Sequence, residues 1–126
     1  MSYELLILLL VFQIKHFICD YPLQNVYMLG KMKSTGWIKP LAAHSAVHAW
    51  FTFLILLLVQ PSNVLLYLLI PVADFILHFI VDRIKASPNL GGKFKPEQPY
   101  FWWALGADQM THHIINYVFI YIILNY

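Results

Sequence analysis

The sequence predicts an all-α protein, a four-helix transmembrane bundle with both termini on the non-cytoplasmic side. Three observations point there. Of the 126 residues, 60% are hydrophobic and 11% charged, and mean hydropathy is +0.65. A soluble domain averages about 45–50% apolar and about 25% charged residues, so this chain has too little charge to coat a water-facing surface. Four stretches, at about 3–21, 41–59, 63–84 and 104–124, each supply roughly the 20 mostly apolar residues that a spanning helix needs. The basic residues collect in the two long connections, about 22–40 and 85–103. Composition excludes a disordered tail, a cytosolic globular enzyme and a nucleic-acid binder held by a basic surface. At this length the chain forms a single domain.

The punctuation fits each element in turn. The first stretch opens Met-Ser-Tyr-Glu, with no basic leader and no small-x-small cleavage site, so it is expected to be a retained helix. Pro22 follows it, and Pro40 precedes the second stretch, where a helix start tolerates proline. Pro61-Ser62-Asn63 makes a tight turn into the third, with Ser62 as the expected N-cap. The fourth follows a breaker-rich connection, Ser87 to Gly92 with Pro96 and Pro99, in which Gly91-Gly92 supply the freedom of a flexible loop or lid. Tyr100-Phe101-Trp102-Trp103 reads as an interfacial aromatic belt ahead of that helix. Cys19 stands alone, so no internal disulfide forms.

Orientation follows from charge. Lys31, Lys33 and Lys39 lie in the first connection, and Arg83, Lys85, Lys93 and Lys95 at the third helix exit and in the second connection. The termini and the 60–62 turn carry no Lys or Arg. Basic residues favour the cytoplasmic face, so both connections are placed there.

Ionisable residues inside the spans point to chemistry, because a charge near the bilayer centre costs about 2.5–3.5 kcal/mol on insertion scales. The first helix has His16 and Asp20, the second His44 and His48, the third His78 and Asp82, the fourth Asp108 and His112. Each pair is spaced i, i+4, which stacks both side chains on one face. At a rise of about 1.5 Å per residue, all eight fall in the cytoplasmic half of the bilayer. The pairs sit at the C-terminal ends of helices one and three and the N-terminal ends of two and four, as a shared site requires.

Lys85 and Arg83 lie near the cytoplasmic surface, and Lys15 points about 100° away from His16, so no lysine or arginine is expected deep enough to neutralise all of the carboxylates. Imidazole with carboxylate is a ligand set for zinc, or for iron or manganese, and helices that each donate such a pair resemble di-metal carboxylate bundles. His16, Asp20, His44, His48, His78, Asp82, Asp108 and His112 are therefore the expected ligands of one or two divalent ions, zinc foremost. The competing reading is a His/Asp hydrogen-bond network that holds the helices together. Haem fits less well, since a bis-His site needs no aspartate beside each histidine. Asp74, three residues after Pro71, is an inner ligand, a proton relay or a group satisfying a proline kink. Lys85, one turn beyond Asp82, is an anion-binding group or a snorkelling anchor. Gln13, Gln24 and Asn116 are expected to support the ligands, and His113 reads as a polar residue at a helix contact.

The ordered motifs His16-x-x-x-Asp20-x-x-Leu23-Gln24, His44-x-x-x-His48, His78-Phe-Ile-Val-Asp82-x-x-Lys85 and Asp108-Gln109-x-x-His112 resemble domain-of-unknown-function family 3307 (DUF3307) over nearly the whole chain. The resemblance implies a small multi-pass protein of the cell inner (cytoplasmic) membrane, bacterial or phage in origin, and brings Gln24, Lys85 and Gln109 among the residues to test. It implies no reaction.

The function expected first is a metal-dependent membrane hydrolase acting on a lipid-like or headgroup substrate. A bound metal lowers the pKa of its water to about 7. Asp74 or Asp108 would serve as base, with Lys85 steadying an anionic group and Gln109 joining the catalytic set through the resemblance. The alternatives are a divalent-cation or proton transporter, which the aliphatic run Phe53 to Leu58 disfavours, and a structural or regulatory membrane protein. The expected partners are the bilayer and a lipid-like substrate, with a homo-oligomer open and no nucleic acid.

Overall fold

The computed structural model describes residues 2–126. Four long helices account for most of them: α1 Tyr3–Asp20, α2 Ile38–Val59, α3 Leu66–Ala86 and α4 Pro99–Asn125. Among the described residues there is no strand. Short 3-10 turns, Met28–Met32 and Gly91–Lys93, shape the two long connections.

Local chemistry sets where the helices start, and among the described residues α1 alone has a side-chain cap. The Ser2 hydroxyl accepts from the Leu5 amide of α1 at 3.3 Å. α2 begins three residues before the expected 41 and α4 five before the expected 104. Pro40 and Pro99 sit in their first turns, where a missing N–H breaks no intrahelical bond. The Tyr100–Trp103 aromatics therefore belong to the first turn of α4 rather than to the loop ahead of it. α2 stops at Gln60, which takes the left-handed conformation at φ 53°. Asn63, not Ser62, secures the following turn, its Oδ1 accepting from the Leu65 amide at 3.1 Å.

The helices form a ring. α2 packs most extensively on α3, α3 contacts α4, and α4 closes against α1. At the end bearing the termini the interior is apolar, with Leu8, Phe12, Ile55, Leu56, Ile70 and Ile120 among its residues. At the end bearing the long connections it is polar, with Lys15, His16, His44, His48, Asp74, His78, Asp82, Asp108 and His112 all buried. The outside is the reverse: Ile14 and Phe17 of α1, Ile76 and Ile80 of α3 and Ile114 and Val118 of α4 are exposed. By length and composition one helix, Ile38–Val59, is apolar enough to cross a membrane, with a mean hydropathy of 1.8. The other three have inner faces richer in ionisable groups, which lowers their averages while leaving an apolar outer face.

Both long connections are fastened to α3. The Arg83 guanidinium lies 3.8 Å from the Trp37 ring centre and donates to the Lys31 and Lys33 carbonyls at 3.0 and 3.2 Å. Gly91 and Gly92 lie against the backbone of Lys85 and Ala86; a Cβ on Gly91 would stand 2.6 Å from the Lys85 carbonyl oxygen. These glycines permit a close approach, which corrects the expectation of a free loop or lid.

Candidate metal centre

The i, i+4 pairs converge as expected. Asp20, at the last turn of α1, directs Oδ1 to His48 Nε2 (2.8 Å) and His44 Nε2 (3.3 Å) of α2, and Oδ2 to His16 Nε2 (3.1 Å). Asp82 of α3 directs Oδ1 to His112 Nε2 of α4 (2.9 Å) and Oδ2 to His44 Nε2 (3.1 Å). Asp108 Oδ1 meets His112 Nε2 from its other side at 3.3 Å. A continuous chain, Asp20–His44–Asp82–His112–Asp108, thus crosses all four helices. His78 lies at its centre, its ring stacked 3.6 Å from that of His48 and 4.1 Å from that of His112. The expected ligand set forms one cluster, buried except for the half-buried Asp20.

Among the residues beyond these eight, Asp74, Lys15, Gln24 and Gln13 are placed differently from expectation. Asp74 faces away from the convergent oxygens. Its Oδ2 accepts from Lys15 Nζ at 2.7 Å and Thr52 Oγ1 at 2.5 Å, and its Oδ1 lies 3.1 Å from His78 Nδ1. A carboxylate so engaged accepts the Nδ1 proton and leaves the buried Nε2 of His78 bearing a lone pair. Asp74 therefore orients His78; it holds neither an inner-ligand nor a general-base position, and it is not spent on the Pro71 turn. Lys15, expected to point elsewhere, is 3% exposed and neutralises Asp74, and Lys31 reaches in from the first connection to Asp82 Oδ2 at 2.9 Å. Lys15 thus faces inward, against expectation, while among the described residues Asp20 has no lysine beside it. Because α1 and α3 run in the same direction, with His16 and His78 level, a lysine beside one and an aspartate a turn above the other were a detectable signal for the first pair. Lys31 has no periodic signal, since its position depends on how the 28–32 turn folds under the bundle.

Gln109 bridges the cluster, placing Oε1 2.8 Å from His16 Nε2 and donating from Nε2 to Asp108 Oδ2 at 3.0 Å. Lys85 Nζ stands 3.7 Å from Asp108 Oδ2. Gln24 donates to the Asp20 carbonyl, not to a ligand side chain, and Gln13 is exposed. Asn116 is buried one turn beyond His112, and the His113 ring centre lies 5.2 Å from that of His16.

A model of a family of proteins of unknown function, DUF3307, matches residues 5–126, which takes in every element just described. The chain belongs to the DUF3307 family. No curated protein and no solved structure matches it.

Donor chemistry tests what this DUF3307 cluster can hold. A ring nitrogen carries at most one proton. Yet His44 Nε2 and His112 Nε2 each face two carboxylates, and His16 Nε2 faces both Asp20 and Gln109 Oε1. His44 Nε2 and Asp108 Oδ1 are buried without a hydrogen-bond partner. A network of hydrogen bonds alone leaves Asp108 Oδ1 and the lone pair of His78 Nε2 without donors. A cation is the other candidate for these donors. Ligands at about 2.1 Å from an ion sit about 3.0 Å apart along an octahedral edge and about 3.4 Å along a tetrahedral one. The N···O spacings here, 2.8 to 3.3 Å, fall in that interval or just below it. Two sets of ligand atoms lie within 4.8 Å of one another, His16/Asp20/His48/His78 and His78/Asp82/His112, with His78 in both.

Charge bears on what the cluster can hold. Asp74 and Lys15 neutralise each other, Lys31 pairs with Asp82 and Lys85 stands 3.7 Å from Asp108, which leaves Asp20 as the aspartate without a lysine beside it among the described residues. With neutral imidazoles the cluster keeps a net negative charge, which a divalent ion would offset.

Proposed function

We propose that this DUF3307 protein is a multi-pass protein of the inner membrane in which all four helices span the bilayer. It binds one divalent ion, zinc foremost with iron or manganese as alternatives, near the cytoplasmic face, and hydrolyses a lipid-like or headgroup substrate there. The observation that carries the reading is the meeting of histidine Nε2 and aspartate oxygens from four helices at 2.8–3.3 Å, with His78 Nε2 and Asp108 Oδ1 buried there without a hydrogen-bond partner. Four spans are supported by the reversal of polarity between interior and exterior. Aliphatic side chains on α1, α3 and α4 face out while their ionisable groups face in, an arrangement that water would not stabilise.

An ion in this position supplies Lewis-acid activation for ester cleavage at neutral pH. The chain's own groups divide the remaining work. Asp108 is the carboxylate best placed to take a proton, since Asp74 is committed to Lys15, Thr52 and His78. Gln109 holds Asp108 and His16 in register, and Lys85 offers a cation beside Asp108. Cation or proton transport is the weaker reading, because the apolar core from all four helices blocks the path from the cluster to the other end.

Elemental analysis of detergent-purified protein beside an Asp82→Ala/His112→Ala variant tests the centre. About one metal per chain in the parent and none in the variant is expected. Equal, negligible metal in both after reconstitution would return the cluster to a hydrogen-bond network. Ion flux across liposomes without turnover of any ester would replace hydrolysis with transport.

A further inference from the structure

At the connection end α3 and α4 do not close on each other. α4 presents Ala104, Ala107 and Thr111 there, side chains too short to fill the space against Val81 and Ile84 of α3, and a fissure of about 270 Å³ results. Ile84 at its edge is 55% exposed, so the fissure opens sideways onto the apolar outer surface. Its walls are aliphatic, but Asp108 and Lys85 also line it. A smaller cavity of about 80 Å³ adjoins it, sharing Lys85, Gly91 and Ala104 and adding Lys31. Lys85 therefore stands in an apolar slot that leads to a carboxylate of the cluster, while Lys31 lines the adjoining cavity. Lys31 is held by Asp82 at 2.9 Å, whereas Lys85 is 3.7 Å from Asp108 with its side chain 37% exposed, free to take another anion.

We infer that this fissure binds an anionic lipid, with its phosphate on Lys85 and its acyl chain between α3 and α4. A lateral slot with aliphatic walls removes a chain from competition with the bilayer only if a headgroup contact adds selectivity, and Lys85 provides it. A soluble phosphate would have no use for the slot. The ester bonds of such a lipid lie just inside its phosphate, which brings them alongside Asp108. As a substrate site the fissure rests on the hydrolase reading; as a binding site it is measured without it.

The test is native mass spectrometry of the protein released from nanodiscs of dioleoyl phosphatidylglycerol and dioleoyl phosphatidylcholine in equal parts, with metal content measured on the same samples. The parent should retain phosphatidylglycerol in preference, and Lys85→Gln should cut that preference about fivefold, the effect of one basic residue near an anionic headgroup. Ala107→Trp should abolish retention of either lipid; Ala107→Leu fills the slot more gently should the tryptophan variant fail to fold. An unchanged preference in Lys85→Gln, or unchanged retention when position 107 is enlarged, would overturn the inference. So would displacement of phosphatidylglycerol by inorganic phosphate alone, which would mark a site for the free anion. Lysine-dependent lipid retention in a protein without metal would refute the metal centre and leave the lipid site standing. Metal without lipid retention would do the opposite.

Discussion

Among single residues, the Lys15–Asp74 pair is the strongest structural commitment in the polar half. Both side chains are essentially sealed from solvent, at 2% and 0% exposure. Removing one partner of such a pair leaves a bare buried charge, at a cost of about 3–5 kcal/mol. Lys15→Met should therefore destabilise the protein by that order in detergent unfolding, and adding Asp74→Leu should recover most of the loss. Asp74→Asn addresses the orienting role instead. It keeps the size of the side chain but weakens the hold on His78, and metal affinity should fall about 10–100-fold in competition with a chelator. The eight clustered residues were legible in the sequence because i, i+4 spacing is itself a geometric statement. Lys15 was legible only in combination with Asp74: taken alone, an angle of about 100° from His16 looks like another face, whereas a lysine on the flank of a helix in a closed ring still reaches inward. Gln109 had no spacing argument; it lies next to Asp108 and acts by bending back across it.

The elements were easier to foresee than their ends. Pro96 and Pro99 read as loop punctuation, but Pro99 opens α4, so the helix began earlier than expected. The glycines separate what a connection needs from what a helix tolerates. Gly91 and Gly92 are held against the carbonyl end of α3 by close backbone contact, and Gly91→Ala should lower the thermal midpoint through an overpacking cost of about 1–3 kcal/mol. Gly106, inside α4, has nothing within 4 Å of the place a Cβ would occupy. Gly106→Ala should raise stability by about 0.5–1 kcal/mol, since alanine loses less freedom in a helix. Circular dichroism melts of both variants in one detergent check the opposite signs.

Over the whole molecule, average hydropathy understates what the bundle presents outward, because inner and outer faces cancel in the mean for α1, α3 and α4. Topology is the decisive measurement. Cys19 is fully buried and should not react, so single cysteines can report. A thiol introduced at exposed Asn89 should label only from the cytoplasmic side, and one at exposed Ser62 only from the opposite side. Equal labelling of both from one side would remove the four-span arrangement.

Lys31 sits between α1 and α2 yet meets a carboxylate of α3. That contact forms only once the third helix has arrived, and it tethers a provisional counter-ion to the polypeptide itself. On the proposed metal-binding function, a newly made molecule then finishes assembly before the ion arrives. Protein produced under chelation should accumulate to near-normal levels, and Lys31→Met should be degraded under the same starvation; equal survival of both would show that biogenesis does not depend on this built-in substitute.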